Sequence, residues 1–385
     1  MQHHLSRRVT WFGSWGALAA IIGCSAISDV DYAQCTDSAV CREAFGLGYA
    51  CGSAGLCEKV EDFERCTEVY PEGLLDNPEK SRNVILFGSL LDHTQNTGDR
   101  IMINSATLAV MQANMTGLED RSFGIVHCDY QSNPKIDDMT SEEAAVAAAK
   151  YLVDRLGAVA IIGPGTSGLA EAVYTELAKP EHRDRPLIIS PSATSPSLTD
   201  IDPEKPGLFW RTAPPDSLLG ARLAAYMKDE GIAKAVVVYE TGTYGKGLAS
   251  ELQKNFTAEL SLDEYQSITD IPKKVVAIAD ANPGAQDFAV VFIASDVVHV
   301  TTFLNAAGSL DFYKDPGVKL FFGDTAKNDD VIKQTVAKAE ALYPQIRGVF
   351  PGEPSGPVYT LFRTSYNAAF EQDAQSASYS AHTYD

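Results

Sequence analysis

Hydroxyl and acidic side chains at the ends of apolar runs are the residues of this 385-residue chain best suited to chemistry. The stretch Gly163-Pro164-Gly165-Thr166-Ser167-Gly168 follows the apolar run 158–162 and puts Ser167 at or beside a helix N-cap. Free backbone N–H groups and the positive end of a helix dipole favour an anion there, and a hydroxyl can hydrogen-bond a carboxylate. Serine also caps helices with no ligand, so this loop alone does not define a site. The next loop, Ser190-Pro191-Ser192-Ala193-Thr194-Ser195-Pro196, can aim Thr194 at the same anion. Serine and proline suit ordinary turns, but two neighbouring hydroxyl-bearing loops favour carboxylate recognition. Glu240-Thr241-Gly242-Thr243-Tyr244-Gly245 offers the flat ring of Tyr244 to a ligand. Asp324 and Asp296 close further apolar runs, where a carboxylate pairs with an ammonium or caps a helix.

Several catalytic readings fail on spacing. No Lys-Ser/Thr pair follows the glycines of 163–168, so the loop is not a P-loop, and Leu169 replaces the last glycine of a nucleophile elbow. The seven histidines, His3, His4, His93, His127, His182, His299 and His382, form no recognisable triad or metal pattern. The expectation is a non-enzymatic protein that uses no cofactor and no metal.

The elements that must position these loops alternate between short apolar runs and helical patterns. Runs at 84–87, 123–126, 158–162 and 186–189 read as buried parallel strands. Helical spacing follows at 99–115, and Thr140 with Glu143 forms a capping box before an alanine-rich helix reaching Leu156. A second series has strands at 235–239, 288–294, 318–322 and 348–350, with helices at 218–228, after Gly245, at 299–310 and at 330–342. Such alternation predicts an α/β fold of two doubly wound parallel-sheet halves. Ligands of open sheets sit beyond the carboxyl ends of the strands, which is where the hydroxyl loops fall.

Hydrophobic residues make up 45% and charged residues 21%, the balance of a globular protein. The net charge of -20 disfavours nucleic acid as a partner. Arg7 and Arg8 precede the uncharged run 11–23, too short for a comfortable span, so residues 1–23 read as an export signal. Ile21-Ile22-Gly23-Cys24 is similar to a bacterial lipobox, which implies cleavage before Cys24, a lipid on its sulfur, and membrane attachment through that lipid alone. Cys35, Cys41, Cys51 and Cys57 enclose glycine-rich, turn-like sequence with no helical or strand period. In an exported protein they read as a small disulfide module, and three pairings are open. Cys66 and Cys128 remain as a long-range pair. The module's expected role is a spacer between lipid and main domain.

The stretches ILFGSL, IIGPGTSG, IISPSATSPSLT, FWRTAPPD, VVYETGTYGKGLA and FFGD, in that order from Asn83 onward, resemble the type I periplasmic solute-binding proteins of amino-acid/amide ABC transporters, the leucine/isoleucine/valine-binding group. The resemblance implies two lobes joined by three crossovers, closing on a small ligand, an amino acid or amide, that is passed to an ABC permease; a freely hinging monomer is expected. It implies the division 24–66 for tether and module, 67–213 with 351–385 for the first lobe, and 214–350 for the second. Ser167 falls on the family's carboxylate-binding serine. Thr194 falls on the threonine that meets carboxylate and ammonium, with Ser192 and Ala193 giving backbone groups. Tyr244 matches the second-lobe tyrosine, and Asp324 lies near the ammonium-binding acid. Thr97 and Asp296 stand where relatives carry tyrosines, which leaves the side-chain preference open. The resemblance also supports a Cys66–Cys128 tie, and it implies further helix and strands beyond Asp385. A ligand-sensing receptor module with the same closure is the alternative reading.

Overall fold

The computed structural model describes residues 33–385 apart from 78–80, 82, 94–96, 119, 181, 183–184, 205–206, 282–283, 285 and 353. The export signal and Cys24 therefore lie outside the described residues.

The cysteine-rich segment is more regular than its composition predicts. Asp37 accepts from the backbone N–H of Ala39 and Val40 and caps helix α1, Ser38–Phe45. Strands β1 (Tyr49–Cys51) and β2 (Cys57–Lys59) form a hairpin. Disulfides Cys35–Cys51 and Cys41–Cys57 staple helix to hairpin, fixing elements too short to stand alone. Leu47, Ala50 and Val60 pack into one core with Leu74 and Leu156 of the following domain. The third disulfide joins Cys66 to Cys128, and beside it Asp129 N–H donates to Arg65 C=O at 2.7 Å.

The first large sheet contains β3 (Glu68–Tyr70), β4 (Val84–Leu91), β5 (Ser122–Asp129), β6 (Ala160–Ile162), β7 (Leu187–Ser190) and β8 (Phe209–Arg211). Their spatial order is β3-β5-β4-β6-β7-β8, all parallel except β3, which runs antiparallel along the edge of β5. The helices between them are α2 (Thr97–Thr116), α3 (Ser141–Lys150) and α4 (Ser167–Leu177). The predicted capping box of Thr140 and Glu143 opens α3, whose helical path continues to Leu156 through a π-helical turn at Tyr151–Arg155. Trp210 on β8 is exposed, with its indole N–H donating to Gly207 C=O at 2.8 Å.

The chain crosses at 212–215 to a second sheet. Helix α5 (Asp216–Asp229) leads into β9 (Lys234–Glu240), α6 (Thr243–Asn255), β10 (Glu259–Tyr265), α7 (Ile271–Ala281), β11 (Phe288–Ile293), α8 (Val297–Ala307), α9 (Asp311–Lys314), β12 (Val318–Phe322), α10 (Asp329–Ala339) and β13 (Ile346–Gly348). This sheet is parallel throughout, in the order β10-β9-β11-β12-β13. Every residue of β11 is buried, as a central parallel strand covered on both faces requires. Helices α11 (Pro357–Phe370) and α12 (Ser380–Tyr384) then return to the first lobe, where Phe362, Tyr366 and Ala381 pack with Ile101 and Leu108 of α2.

Setting aside the β3 edge, the two sheets share one topology. In each, the strand that comes first in sequence lies between the second and the third. The winding direction reverses between β4 and β6 in one sheet and between β9 and β11 in the other. Connections leaving these switch points diverge to opposite faces and open a crevice at the strand ends.

Candidate functional site

Both crevices face a single cavity of about 360 Å³. The first lobe lines it with Asp92 after β4, Gly165, Thr166 and Ser167 after β6, and Ser192 after β7. The second lobe adds Tyr244 at the start of α6, Ser295 and Asp296 after β11, and Asp324 after β12. Tyr379, from the segment leading into α12, also lines it.

The loop after β6 turns at Gly163, whose φ is 109° and where a Cβ would come within 2.3 Å of Leu90 C=O. Only glycine fits such a left-handed, close-packed position. Serines then lock this loop to the next one. Ser190 donates to Pro164 C=O at 2.6 Å, Ser192 donates to Gly165 C=O at 2.7 Å, and Ser167 Oγ accepts from Ser195 N–H at 3.1 Å. Thr166 is the N-cap of α4 but makes no side-chain capping bond. Its hydroxyl and the first amides of α4 thus stand at the cavity wall where an anion is favoured.

Tyr244 and Asp324 meet directly. The tyrosine hydroxyl donates to Asp324 Oδ1 at 2.6 Å, and Tyr379 donates to the other carboxyl oxygen. Burial, then the Asp324 charge, pushes the hydroxyls of Tyr244 and Tyr379 well above the ordinary phenol range, so both stay protonated and donate to Asp324. Gly323 makes room for this contact, since a Cβ there would lie 2.6 Å from the Tyr244 hydroxyl. Behind Asp324 lies Asp216 at the start of α5, with no solvent exposure. Its carboxyl faces the Thr194 hydroxyl without closing a well-formed hydrogen bond. Burial first, then the charge of Asp324, raises Asp216 far above the usual carboxylate range.

Of the residues expected from sequence, Ser167, Ser192, Tyr244, Asp296 and Asp324 line the cavity together. Ala193 and Thr194 are buried one layer behind, Ala193 packed among Ala170 and Leu198. Asp296 caps α8, accepting from Val298 N–H at 2.7 Å. Thr97 is the first residue of α2, and its neighbour Gly98 lines the cavity. Sequence reasoning missed Asp92, Asp99 and Tyr130. Asp92 follows β4 at the switch point and Tyr130 follows β5, so the strand-end rule could have found both. Tyr379 carried no such signal, because its place depends on the return of the chain to the first lobe.

The lobes touch on both sides of the cavity. Ser195 Oγ donates to Thr243 C=O at 3.0 Å, and Thr243 Oγ1 donates to Glu171 at 2.6 Å. On the opposite flank Ser378 donates to Lys327 C=O, and Asn328 and Ala377 form a β-bridge.

Two doubly wound sheets with their switch points turned toward one polar cavity define a two-lobed ligand-binding architecture, the type I periplasmic binding protein fold. Residues 96–385 match the family described as periplasmic binding protein, and the chain belongs to that family. Among curated proteins none matches the chain. Solved structures share the fold. The branched-chain amino acid transporter substrate-binding protein LivJ of Streptococcus pneumoniae, in complex with isoleucine, is 22% identical with a TM-score of 0.61, over 78% of this chain and 81% of that one. A solute-binding protein of R. palustris in complex with 4-hydroxybenzoate is 15% identical with a TM-score of 0.63, over 78% of each chain. A fatty acid ABC transporter substrate-binding protein of Thermomonospora curvata is 17% identical with a TM-score of 0.60, over 78% and 73%. The ligands of these proteins differ in kind, so the shared fold carries no ligand with it. Among the described residues no helix is long and apolar enough to cross a membrane.

Proposed function

We propose that this chain is an extracytoplasmic solute-binding lipoprotein of an ABC uptake system, taking an amino acid or similar small polar ligand between its lobes. The observation that carries this reading is the pairing of an anion-favouring wall with an acid across one cavity. Thr166, Ser167 and the amides of α4 suit a carboxylate, and Asp324, held by Tyr244 and Tyr379, suits an ammonium. In this reading residues 67–213 with 351–385 form one lobe and 214–350 the other, and rotation about the 212–215 crossing closes them. Binding then involves no chemical step, the chain works as a monomer, and the closed form engages a permease. Cys24 carries the lipid that holds the protein at the membrane.

Ligand-dependent melting tests the reading. At ligand near 100 times its Kd, linkage adds about 2.7 kcal/mol to stability, a rise of a few degrees. The rise is expected with α-amino acids and is expected to shrink in Ser167→Ala and in Asp324→Asn. A rise with benzoate or a fatty acid, and none with any amino acid, would replace the amino-acid ligand. The anchor is tested by membrane fractionation, with Cys24→Ala expected to release the protein into the soluble fraction.

A further inference from the structure

The charge of the cavity wall is one-sided. The first lobe contributes Asp92 and Asp99, and the second contributes Asp296, Asp324 and Asp330. Lys327 is the one cationic side chain lining the cavity among the described residues, and it is drawn to the ring of Phe350 at 5.3 Å. Asp330 pairs with Lys333 at 3.0 Å, and Asp324 is held by tyrosines that give hydrogen bonds but no charge. Asp92 accepts from Gln131 at 2.9 Å. The Asp99 carboxyl is pushed well above its ordinary range by burial, then by the charges of Asp92, Asp296 and Asp129. Tyr130, on the same wall, is raised by burial and then by Asp99, Asp92, Asp129 and Asp296.

Two features give this wall meaning. Asp99 and Asp296 belong to opposite lobes, and the contacts of Ser195 with Thr243 and of Ser378 with Lys327 hold those lobes together around the cavity. Burial and the crowding of carboxyls from both lobes keep the proton on Asp99 unless a cation comes between them. The acids are also spread out. Among the described residues no three carboxylates bring their oxygens within 4.8 Å of one another, the convergence a metal ion would need. An extended organic cation suits this spacing, and a bare divalent ion does not.

We infer that the cleft selects an amino acid with a cationic side chain, its second positive group lying among Asp92, Asp99 and Asp296. The inference rests on the amino-acid reading of the cleft and adds the ligand class to it. The α-ammonium meets Asp324, the α-carboxylate meets the start of α4, and an ammonium or guanidinium tip neutralises the acids that face each other across the lobes.

Isothermal titration of the full chain in detergent, at neutral pH and low salt, tests this with L-arginine, L-lysine, L-leucine and putrescine. Arginine or lysine is expected to bind at least about tenfold more tightly than leucine, with an affinity that falls as salt is added. Asp99→Asn and Asp296→Asn are each expected to narrow that preference about tenfold. Unliganded Asp99→Asn is expected to melt above the parent, since a buried carboxyl crowded by other acids is removed; a lower melt would overturn the crowding argument. Leucine binding as tightly as arginine would sink the charge inference while leaving the amino-acid cleft standing. Putrescine matching arginine would support the cation pocket and remove the carboxylate contact. No binding by any of the four would overturn both readings.

Discussion

The two lobes reach the same topology by different physical means. The first lobe keeps a polar interior. His127 lies fully buried on β5, with Ser89 Oγ 2.6 Å from its Nδ1 and Thr107 Oγ1 2.9 Å from its Nε2. Burial, then the charge of His93, pushes its pKa down to about 3, so it stays neutral and spends both ring nitrogens on hydroxyls. Arg65, 1% exposed, chelates Asp137 and donates to Gln131 C=O at 2.7 Å. A disulfide ties this region to β5 beside the antiparallel edge strand. The second lobe has no disulfide among its described residues and is centred on stacked aromatics. Phe292 lies 4.4 Å from Phe303 and 5.7 Å from Tyr265, ring centroid to ring centroid, with Phe322 edge-on. The contrast teaches that one winding order accommodates an apolar core supplemented by buried polar contacts and a covalent tie, or one centred on stacked aromatic volume.

This contrast predicts where each lobe breaks. Phe292→Ala empties the centre of the aromatic stack and is expected to destabilise the second lobe by about 3–5 kcal/mol. Denaturant unfolding should then split into two transitions, with the first lobe unchanged; a single shifted transition would mean the lobes fold as one unit. Replacing Cys66 and Cys128 together by alanine frees a 62-residue separation in the unfolded chain and is expected to cost the first lobe about 3 kcal/mol. Reductant should weaken the first lobe in the same way and leave the transition of the second lobe unchanged.

A smaller effect separates the lobes by pH. Burial pushes the Glu240 carboxyl, at the end of β9, up to about 7 against an ordinary 4.5. Between these values the folded state holds a proton the unfolded state has released, so the folded state loses stability as pH rises through that window. Glu240→Gln should flatten this loss and raise stability above pH 7 relative to the parent, measured as the difference between denaturation at acid and alkaline pH. The smallest effect is expected in the first lobe, where Thr140→Ala removes one half of the capping box on α3 and costs about 1 kcal/mol by chemical denaturation.

Strands and strand ends were legible because burial on two faces demands unbroken apolar runs. Thus 288–294 announced β11, and 158–162 announced the shorter β6. Strand β10 escaped, since Glu259-Leu260-Ser261-Leu262-Asp263-Glu264-Tyr265 sits at the sheet edge and alternates polar with apolar residues. The cysteine module was read as irregular because α1 and its hairpin are too short for periodicity to register, and disulfides replace the missing core. At the site, Ser167, Tyr244 and Asp324 were legible as strand-end residues. That Tyr244 bonds to Asp324, with Tyr379 completing the pair, depends on contacts 80 and 55 residues apart in sequence, which no local pattern encodes.

The position of Trp210 has an optical consequence. The sequence holds three tryptophans, and Trp11 and Trp15 precede Cys24, so the mature chain in the proposed reading keeps a single indole. That indole lies on the last strand of the first lobe, one residue before Arg211, whose guanidinium grips Ser195 C=O at 2.7 Å in the loop that touches Thr243. If the lobes rotate as proposed, this indole is expected to report it: its emission should change on titration with a ligand that closes the cleft, with no attached dye.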